Sequence, residues 1–441
     1  MRFSAVFSHH FKLKTRDVGE MARQYMCGLV QADKKNIERI EEAVPECDYH
    51  ALQHFITDSP WDHRAVMDQV ATEADKILGG SSDSCLLIDE TAFEKKGTKS
   101  VGVARQWNGR LGKVDNCQVA VFAALAQRER ITPIDTRLYL PKEWTDDPAR
   151  CRAAKVPRIE TVFRRKADLA LEMVSHARSL GVRFNWVGAD GFYGNDPAFC
   201  RGLEDMGETF CVDVHSDQRV YLEDPQPYVP SWRGHGRRPR KRRTDSAPIR
   251  VDQWVASQPA DLWRTVTTRD STKGKLRVAA LSRRVWLWDG KEETARSWIL
   301  IARRDGQTQS NHKYSLTNQP EDTPLETLVC MQGQRYWVER AFEDAKGEAG
   351  MADYQVRGWF GWHHHMALVM MALLFMAGER LLHKDTVPLL SCADIEELLS
   401  QFLPRRKVDA DEVLRQMTVR HQKRQASIAL AYSKQGFQPP G

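Results

Sequence analysis

Long apolar segments are scarce in this 441-residue chain. The longest uninterrupted run, Met366–Ala377, is roughly half as long as the ~20 residues of a membrane-spanning helix, so it predicts a buried core helix. The N-terminal stretch MRFSAVFSHHFKLK also lacks the apolar block of a signal peptide. We therefore expect a cytoplasmic protein without a membrane partner.

Paired cysteines are absent as well. The nine cysteines are scattered along the chain, and no two of them form a Cys-x-x-Cys pair. Their odd number and the apolar neighbours of residues such as Cys85 and Cys211 favour reduced thiols in the core over disulfides or a zinc ribbon. With 41% hydrophobic and 28% charged residues, the chain can fold around real cores and is not disordered.

The net charge of +6 is small, but its source is concentrated in one basic segment, residues 231–250. This segment contains eight basic side chains and one acid, Asp245, so the rest of the chain is close to neutral. A positive charge this localised predicts a polyanion bound at one place. Six neighbouring cations of the segment are the candidates for that contact: Arg237, Arg238, Arg240, Lys241, Arg242 and Arg243.

Changes in periodicity divide the chain into five segments. Residues 1–80 have helical spacing, residues 81–216 alternate strands and helices, and residues 217–322 become strand-like after a Pro- and Arg-rich start. Residues 323–385 are helical again, and residues 386–441 contain two shorter helices and a tail. This order predicts an α/β protein, whose mixed sheet is covered by helices and interrupted by a β-rich insertion. The first segment is either a small helical bundle or a helical DNA-binding module.

Within the strand-like segment, β-type runs cover residues 277–281, 284–288 and 297–302. The Asp-Gly pairs at 289–290 and 305–306 are turn signals that separate such runs. The segment has the pattern of an insertion, because the helical pattern resumes after it.

Two acids end short apolar runs in the second segment. Asp89 ends the run CLLID, and Asp190 ends the run FNWVGAD. At the carboxyl end of a strand in an α/β sheet, a side chain can leave the sheet and meet a ligand in the crevice beyond it. The alternative is that each Asp simply starts a turn.

A third acid comes from the helical pattern around Glu339. At ~100° per residue, Arg335, Glu339, Phe342 and Lys346 lie within about 60° of one another, next to an apolar flank. Helical geometry therefore selects Glu339 as the acid that lies beside the core between two cations. The alternative is a solvated face on which Arg335 and Glu339 form an ordinary i, i+4 ion pair.

Three carboxylates that meet at one site need counter-charge. Hard divalent cations with oxygen ligands supply it, and we expect Mg²⁺, with Mn²⁺ as a substitute. Two such ions about 4 Å apart activate an attacking oxygen and stabilise the leaving oxygen of a phosphodiester. The predicted reaction class is metal-assisted phosphoryl transfer on nucleic acid.

The order of these elements resembles the RNase H-like catalytic domain of DDE transposases, which has Asp on the first strand, Asp on the fourth and Glu on a later helix. The stretches LIDETAFEKKG, SVGVARQWNGRLGKVDNCQVAV and ADGFYGN resemble those of one branch of bacterial insertion-sequence enzymes. The likeness covers the chain from about residue 20 to residue 380.

The last motif resembles the Tyr-x2-Arg-x3-Glu-x6-Lys signature of one group of these transposases. Arg335, Glu339 and Lys346 have its spacing, but Gln332 stands where the signature has Tyr. The candidate substitutes for this Tyr are the nearby Tyr336 and Tyr354.

The resemblance implies catalytic roles for the selected residues. Asp89, Asp190 and Glu339 would bind two metal ions, and Arg335 and Lys346 would contact DNA phosphate near the transposon end. In related enzymes a Trp of the insertion can stack on a flipped base. Five tryptophans of the strand-like segment are candidates for this role, with core packing as the alternative: Trp254, Trp263, Trp286, Trp288 and Trp298.

The resemblance also gives the segments their roles. Residues 81–216 and 323–385 would be the two parts of the catalytic core, and residues 217–322 would be the β-rich insertion with the basic segment. Residues 1–80 would be a helical DNA-binding region, and residues 386–441 a helical C-terminal region.

The implied partner is double-stranded DNA, as transposon ends and as target, bound by a homodimer in the bacterial nucleoid. The implied activity is cut-and-paste transposition. Two alternatives stay open: an RNase H-like nuclease or resolvase without strand transfer, and a non-catalytic DNA-binding regulator derived from a transposase. Three cations beside the early strands, Lys95, Lys96 and Arg105, are further candidates for a DNA channel, with solvated hairpin charge as the alternative.

Overall fold

A computed structural model describes residues 2–271, 274–305 and 312–437. Its first part is a cluster of five helices that surround apolar side chains such as Leu29 and Phe55. The side chains of Asn36, Asp48 and Asp62 accept backbone N–H groups of the first turn of the third, fourth and fifth helix, which fixes where these helices begin. The helices are α1 (Arg2–Phe7), α2 (Gly19–Gln31), α3 (Ile37–Ala43), α4 (Tyr49–Thr57) and α5 (His63–Leu78).

The second part alternates strands and helices, as the sequence predicts. Its strands are rich in buried apolar residues, and residues 117–126 of the third strand are buried throughout. The strands are β1 (Ser84–Glu94), β2 (Ala104–Asn108), β3 (Lys113–Gln127), β4 (Arg130–Leu138), β5 (Trp186–Ala189) and β6 (Phe210–Val214). The helices are α6 (Lys142–Thr145), α7 (Pro148–Ala153), α8 (Lys166–Ser179), α9 (Gly191–Gly194) and α10 (Pro197–Asp205).

Residues 217–322 contain six strands and one α-helix among the described residues. The predicted runs 277–281 and 284–288 fall on one continuous strand that ends at Leu287, one residue before the predicted end of the second run. The turn predicted at 305–306 includes Gly306, which lies outside the described residues. The elements are β7 (Arg219–Val220), β8 (Ile249–Arg250), α11 (Val251–Ala256), β9 (Arg264–Ser271), β10 (Gly274–Leu287), β11 (Arg296–Asp305) and β12 (His312–Thr317).

One mixed sheet of ten strands joins these parts in the order β2-β3-β1-β5-β6-β12-β11-β10-β9, with β4 paired to β3. The pairs β1–β5 and β5–β6 are parallel, and the remaining pairs are antiparallel. The strands β9 to β12 extend the sheet edge to edge through the pairing of β12 with β6. A mixed sheet with helical flanks confirms the predicted RNase H-like α/β class.

The last part is helical as predicted, and its first helical stretch consists of two helices that meet at Arg335. The helices are α12 (Leu325–Gln334), α13 (Tyr336–Gly347), α14 (Trp359–Leu382), α15 (Cys392–Phe402) and α16 (Ala410–Lys434). By length and composition alone, α14 is long enough and apolar enough to span a membrane. Most of its side chains are instead buried against α5, α2, α4 and β4, so it is a core helix as predicted.

Candidate active site

Three acids stand side by side on neighbouring strands of the sheet. Ile88 of β1 is in register with Ala189 of β5, which is in turn in register with Val212 of β6. The residues that directly follow these three positions in the sequence are Asp89, Asp190 and Asp213. Because carboxyl ends of parallel strands meet at one edge of a sheet, these three residues form one row, here called the acid row.

The sequence predicts that Asp89 ends its strand, and this prediction is wrong. Asp89 lies in the middle of β1, which continues to Glu94 in antiparallel pairing with β3. The parallel pairing of β1 with β5 does stop at Ile88, so Asp89 is the first residue at which β1 loses its β5 neighbour. Asp89 therefore lies where the pairing of β1 with β5 ends, although β1 itself continues past this point.

Asp190 follows β5 directly and caps α9. Its carboxylate accepts the backbone N–H groups of Phe192 at 3.0 Å and of Tyr193 at 3.4 Å. This short helix lies so close to β6 that a Cβ on Gly194 would stand 1.9 Å from the backbone oxygen of Asp213. Gly194 thus permits the close approach that holds the Asp190 cap beside the acid row.

The Arg335 guanidinium lies among three carboxylates. Its Nε donates to Oδ2 of Asp213 at 2.8 Å, its Nη2 lies 2.8 Å from Oε1 of Glu339, and its Nη1 lies 3.6 Å from Oδ2 of Asp89. Helix α13 begins directly after Arg335 and places Glu339 one turn further on. The ordinary i, i+4 ion pair is therefore present, but it belongs to a larger cluster of acids around one cation.

The acid cluster is short of positive charge. Burial, together with the neighbouring Asp190 carboxylate, raises the pKa of Asp89 to about 8, and the Arg335 charge opposes this rise. Burial likewise raises the pKa of Asp190, again against the influence of Arg335. Such raised pKa values indicate that a further cation would stabilise the ionised carboxylates.

These residues fit a hard divalent cation. Asp89, Asp190 and Glu339 offer carboxylate oxygens, which are the ligands that Mg²⁺ and Mn²⁺ prefer. The Glu339 side chain is 54% exposed, so it has room to turn from Arg335 toward such an ion. Within the described ranges, no three acidic, His or Cys side chains form a finished metal cage. The site thus has the required ligands, with Arg335 in contact with two of them.

Lys346 of α13 contacts β1 two residues beyond Asp89. Its ammonium donates to the Thr91 hydroxyl at 2.7 Å, and burial lowers the pKa of this lysine. Thr91 and Asp89 are two residues apart, so they share one face of the strand. The helix wheel correctly places Arg335, Glu339 and Lys346 on the same side of α13.

Gln332, at the position of the signature Tyr, is buried in a polar chain behind Arg335. Its amide donates to the Ser315 hydroxyl at 2.8 Å, and that hydroxyl donates to Oδ1 of Asp213 at 2.6 Å. Tyr336 is instead exposed beneath Arg269, whose guanidinium carbon lies 3.8 Å from the ring centroid. The hydroxyl of the other candidate, Tyr354, donates to Gln118 at 2.8 Å. Neither candidate substitute for the signature Tyr therefore belongs to the polar chain of Gln332, Ser315 and Asp213.

Three residues of this region were not predicted from the sequence: Asp213, Ser315 and a further acid, Glu90. The signal for Asp213 was present, because the run FCVD ends in an acid just as CLLID does. Glu90 points to the other side of β1, where Lys166 binds one carboxylate oxygen at 2.5 Å and the Tyr193 hydroxyl donates to the other at 3.0 Å. This group packs behind the acid row and fixes β1 to α8 and α9.

The other predicted DNA-binding cations lie away from the acid cluster. In the basic segment, Arg242 forms an ion pair with Glu293, whereas the remaining five candidates have no ion pair within the part of the chain that the structure describes. Lys96 and Arg105 are exposed, and Lys95 lies against the Tyr354 ring. Of the candidate tryptophans, Trp254 and Trp298 are buried and unsuited to base stacking.

Comparison with known proteins identifies the family. A family model described as DDE superfamily endonuclease matches residues 6–275, which is more than half of the chain. The chain belongs to the DDE superfamily endonucleases. The matched range of this DDE endonuclease includes Asp89 and Asp190 and ends before the helix of Glu339.

A curated relative supports the same family. Over 324 residues the DDE endonuclease is 25% identical to a protein of Microchaete diplosiphon described as "Probable transposase for insertion sequence element IS701", and the match covers 73% of each chain. The predicted resemblance to DDE enzymes is therefore confirmed. Membership in the group with the Tyr-Arg-Glu-Lys signature stays a prediction, and Gln332 occupies the Tyr position of that signature.

Proposed function

We propose that this DDE endonuclease is the transposase of an insertion sequence. It binds terminal inverted repeats and catalyses Mg²⁺-dependent DNA cleavage and strand transfer by a cut-and-paste mechanism. The observation that supports this proposal most is the convergence of Asp89, Asp190 and Glu339 at the edge of one sheet, around the Arg335 guanidinium.

In this proposal the three acids hold two divalent ions, Mg²⁺ or Mn²⁺. When bound, such ions activate the attacking oxygen and stabilise the leaving oxygen of a phosphodiester. Arg335 and Lys346 bind the DNA phosphate next to the scissile bond. Arg335 lies beside Asp89 itself, and Lys346 contacts Thr91, two residues further along β1. Asp213 is a positioning residue, because its carboxylate accepts a hydrogen bond from the Arg335 Nε and so fixes the guanidinium.

The remaining segments bind DNA further from the reacting bond. We assign residues 81–216 and 323–385 to the catalytic core, 217–322 to the insertion, and 1–80 and 386–441 to the helical flanks. The strand β6 runs parallel to β5, so the chain that leads into the basic segment leaves the sheet at the edge of the acid row. This topology supports a DNA-gripping role for Arg237, Arg238, Arg240, Lys241, Arg242 and Arg243, and Lys96 and Arg105 add exposed positive charge.

We further propose that a homodimer holds two transposon ends and the target duplex, in the cytoplasm at the nucleoid. Two copies would allow each active site to act on one end of the element. Sedimentation of the protein with and without duplexes that carry the terminal sequences tests this, and a monomer on paired ends would contradict it.

Cleavage of the element's own ends tests the proposed activity. Duplexes are taken from the DNA that flanks the gene and incubated with Mg²⁺ and wild type, Asp190→Asn or the control Asp261→Asn, which changes an exposed acid outside the site. We expect cleavage by wild type and the control, and unchanged end binding without cleavage by Asp190→Asn. Retained cleavage by Asp190→Asn would overturn the proposal.

Pre-cut ends separate the proposal from the two alternatives. Joining of such ends to a target plasmid supports a transposase. Cleavage without joining would indicate a nuclease or resolvase, and end binding without cleavage in Mg²⁺ or Mn²⁺ would indicate a regulator.

A further inference from the structure

A cavity of about 720 Å³ lies between the N-terminal helices and the catalytic sheet. Helix α4 lines one side with Tyr49 and Gln53, and the loop after β1 lines another with residues 95–100. The third side is the segment 354–357, which precedes α14. The cavity is separate from the acid row, and we call it the α4 pocket.

The α4 pocket is positively charged. Four cations line it, Lys95, Lys96, Lys99 and Arg357, and its lining includes no carboxylate. None of the four forms an ion pair with another described residue, although ion pairs are abundant elsewhere on this protein. The four cations could therefore pair with an anion that is not part of this protein.

Lys95 is the most constrained of these cations. Its ammonium lies 3.6 Å from the ring centroid of Tyr354, whose hydroxyl is fixed by Gln118. Burial without an acidic partner lowers the pKa of this lysine to about 8. A half-buried ammonium of this kind is unfavourable until an anion joins it.

Neutral donors complete the pocket. The Tyr49 hydroxyl and the Gln53 amide face no hydrogen-bond partner among the described residues, and Thr98 adds a hydroxyl. Hydroxyl and amide donors combined with Lys and Arg are the usual ligands of DNA phosphates. The fourth cation, Arg357, approaches from the segment opposite α4, so an anion would join three separate parts of the chain.

We propose that the α4 pocket binds a backbone phosphate of the DNA duplex whose end enters the active site. This inference rests on the proposed function, because it takes DNA as the substrate. It makes the N-terminal helices and the catalytic sheet two walls of one phosphate site. A sequence-independent grip on the duplex follows, since a phosphate contact positions DNA without reading its bases.

The position of the pocket on β1 sets its distance from the acids. Lys95 follows β1 directly, and its N–H still pairs with the Asn116 oxygen at 2.9 Å. Six residues separate it from Asp89, which corresponds to about 20 Å of extended strand. For a duplex that runs along β1, with phosphates about 3.4 Å apart along its axis, the contacted phosphate lies roughly six nucleotides from the scissile one.

One substitution tests the pocket with two opposite readouts. Gln53→Glu introduces a carboxylate beside the four cations, so it should stabilise the free protein and raise its melting temperature by about 1–2 °C. The same carboxylate repels a phosphate, so the affinity for a 40-base-pair duplex with the element's end should fall roughly tenfold. Lys384→Gln, which removes an exposed lysine elsewhere, is the control and should change neither quantity.

Ethylation interference then locates the contact. In the wild type, ethylated phosphates about six nucleotides from the cleavage position should block binding. Lys95→Gln should abolish interference there and nowhere else. Unchanged DNA affinity of both Gln53→Glu and Lys95→Gln would overturn the inference. Binding of inorganic phosphate in the pocket that leaves the DNA affinity unchanged would also overturn it.

The outcomes separate this inference from the proposed function. Wild type that binds ends without metal-dependent cleavage, while Gln53→Glu weakens binding, would contradict the transposase chemistry and leave the pocket in place. Metal-dependent cleavage by wild type, together with full end affinity and full cleavage by Gln53→Glu, would contradict the pocket alone.

Discussion

Arg335 and Asp213 are joined by a short ion pair, in which the Arg335 Nε donates to the Asp213 carboxylate at 2.8 Å. Asp213 is also held by Ser315, so the pair is anchored on both β6 and β12. A guanidinium fixed in this way stays beside the acid row when Glu339 turns away. The anchor therefore gives Arg335 a defined position from which to meet a phosphate.

Asp213→Asn tests that anchor. The amide keeps a polar contact with Ser315 but removes the charge that competes with Asp89 and Glu339 for Arg335, so Arg335 should hold these two acids more tightly. We expect single-turnover cleavage to fall about 10- to 100-fold, with a higher Mg²⁺ requirement and unchanged end binding. A titration of the rate against Mg²⁺ checks this, and a normal Mg²⁺ midpoint would count against the anchor.

Asp89 predicts a pH dependence of stability in metal-free protein. Its folded-state pKa of about 8 lies above that of an unfolded chain. Below the unfolded value, near pH 4, the folded protein keeps the full benefit of this raised pKa, and the benefit is lost as the pH rises to about 8. Asp89→Asn should therefore match wild type at pH 4 and melt about 2–4 °C higher at pH 8.

The measurement is thermal unfolding in the presence of a chelator at several pH values. Mg²⁺ should reverse the order at pH 8, because the wild-type carboxylate binds the ion and the amide does not. A constant difference between the two proteins from pH 4 to pH 8 would contradict the raised pKa of Asp89.

Gln332→Tyr tests whether the signature Tyr is simply missing. Gln332 is only 3% exposed and is already hydrogen bonded to Ser315, so a larger ring has no room there. We expect a loss of about 1–3 kcal/mol in the free energy of unfolding and slower cleavage. Faster cleavage at unchanged stability, measured by chemical denaturation and end cleavage, would show that a Tyr fits and that the buried polar chain is dispensable.

Gly194→Ala tests the close approach of α9 to β6. The new methyl group would overlap the Asp213 backbone oxygen, so the Asp190 cap has to move. The expected cost is about 2–3 kcal/mol of unfolding free energy, together with loss of cleavage. Gly347→Ala is the matched control, because nothing lies within 4 Å of its Cβ position. It should leave cleavage unchanged and increase the free energy of unfolding by no more than about 1 kcal/mol.

Neutralising the basic segment should change the salt dependence of DNA binding. Replacing Arg237, Arg238, Arg240, Lys241, Arg242 and Arg243 by Gln should reduce the slope of log affinity against log salt by about 0.9 for each phosphate that the segment no longer neutralises. Fluorescence anisotropy at several salt concentrations measures this slope. An unchanged slope would make the segment a solvated loop.

Much of the site was accessible from local sequence patterns. Asp89 and Asp190 follow apolar runs, and the helical period alone placed Arg335, Glu339 and Lys346 on one side of α13. Asp213 ends the same kind of run, yet its importance depends on the register of β5 with β6. That register is a long-range property, so a local pattern does not determine it.

The long-range pairing also explains what the sequence did not reveal about the insertion. Local runs predicted strands within residues 217–322, but β12 pairs with β6 across about a hundred residues of chain, and this pairing extends the sheet. The contacts of Arg335 are equally non-local, because its guanidinium pairs with Asp213 and Asp89. Positions governed by such contacts require the three-dimensional structure.

The most direct test of the central claim is a change of metal preference at Asp190. Asp190→Cys replaces a hard oxygen ligand by sulfur, which suits Mg²⁺ poorly and softer ions better. If Asp190 binds the catalytic ion, cleavage of the terminal repeats should be lost in Mg²⁺ and partly recovered in Mn²⁺. Undiminished cleavage by Asp190→Cys in Mg²⁺ would contradict the assignment of Asp190 to the metal site.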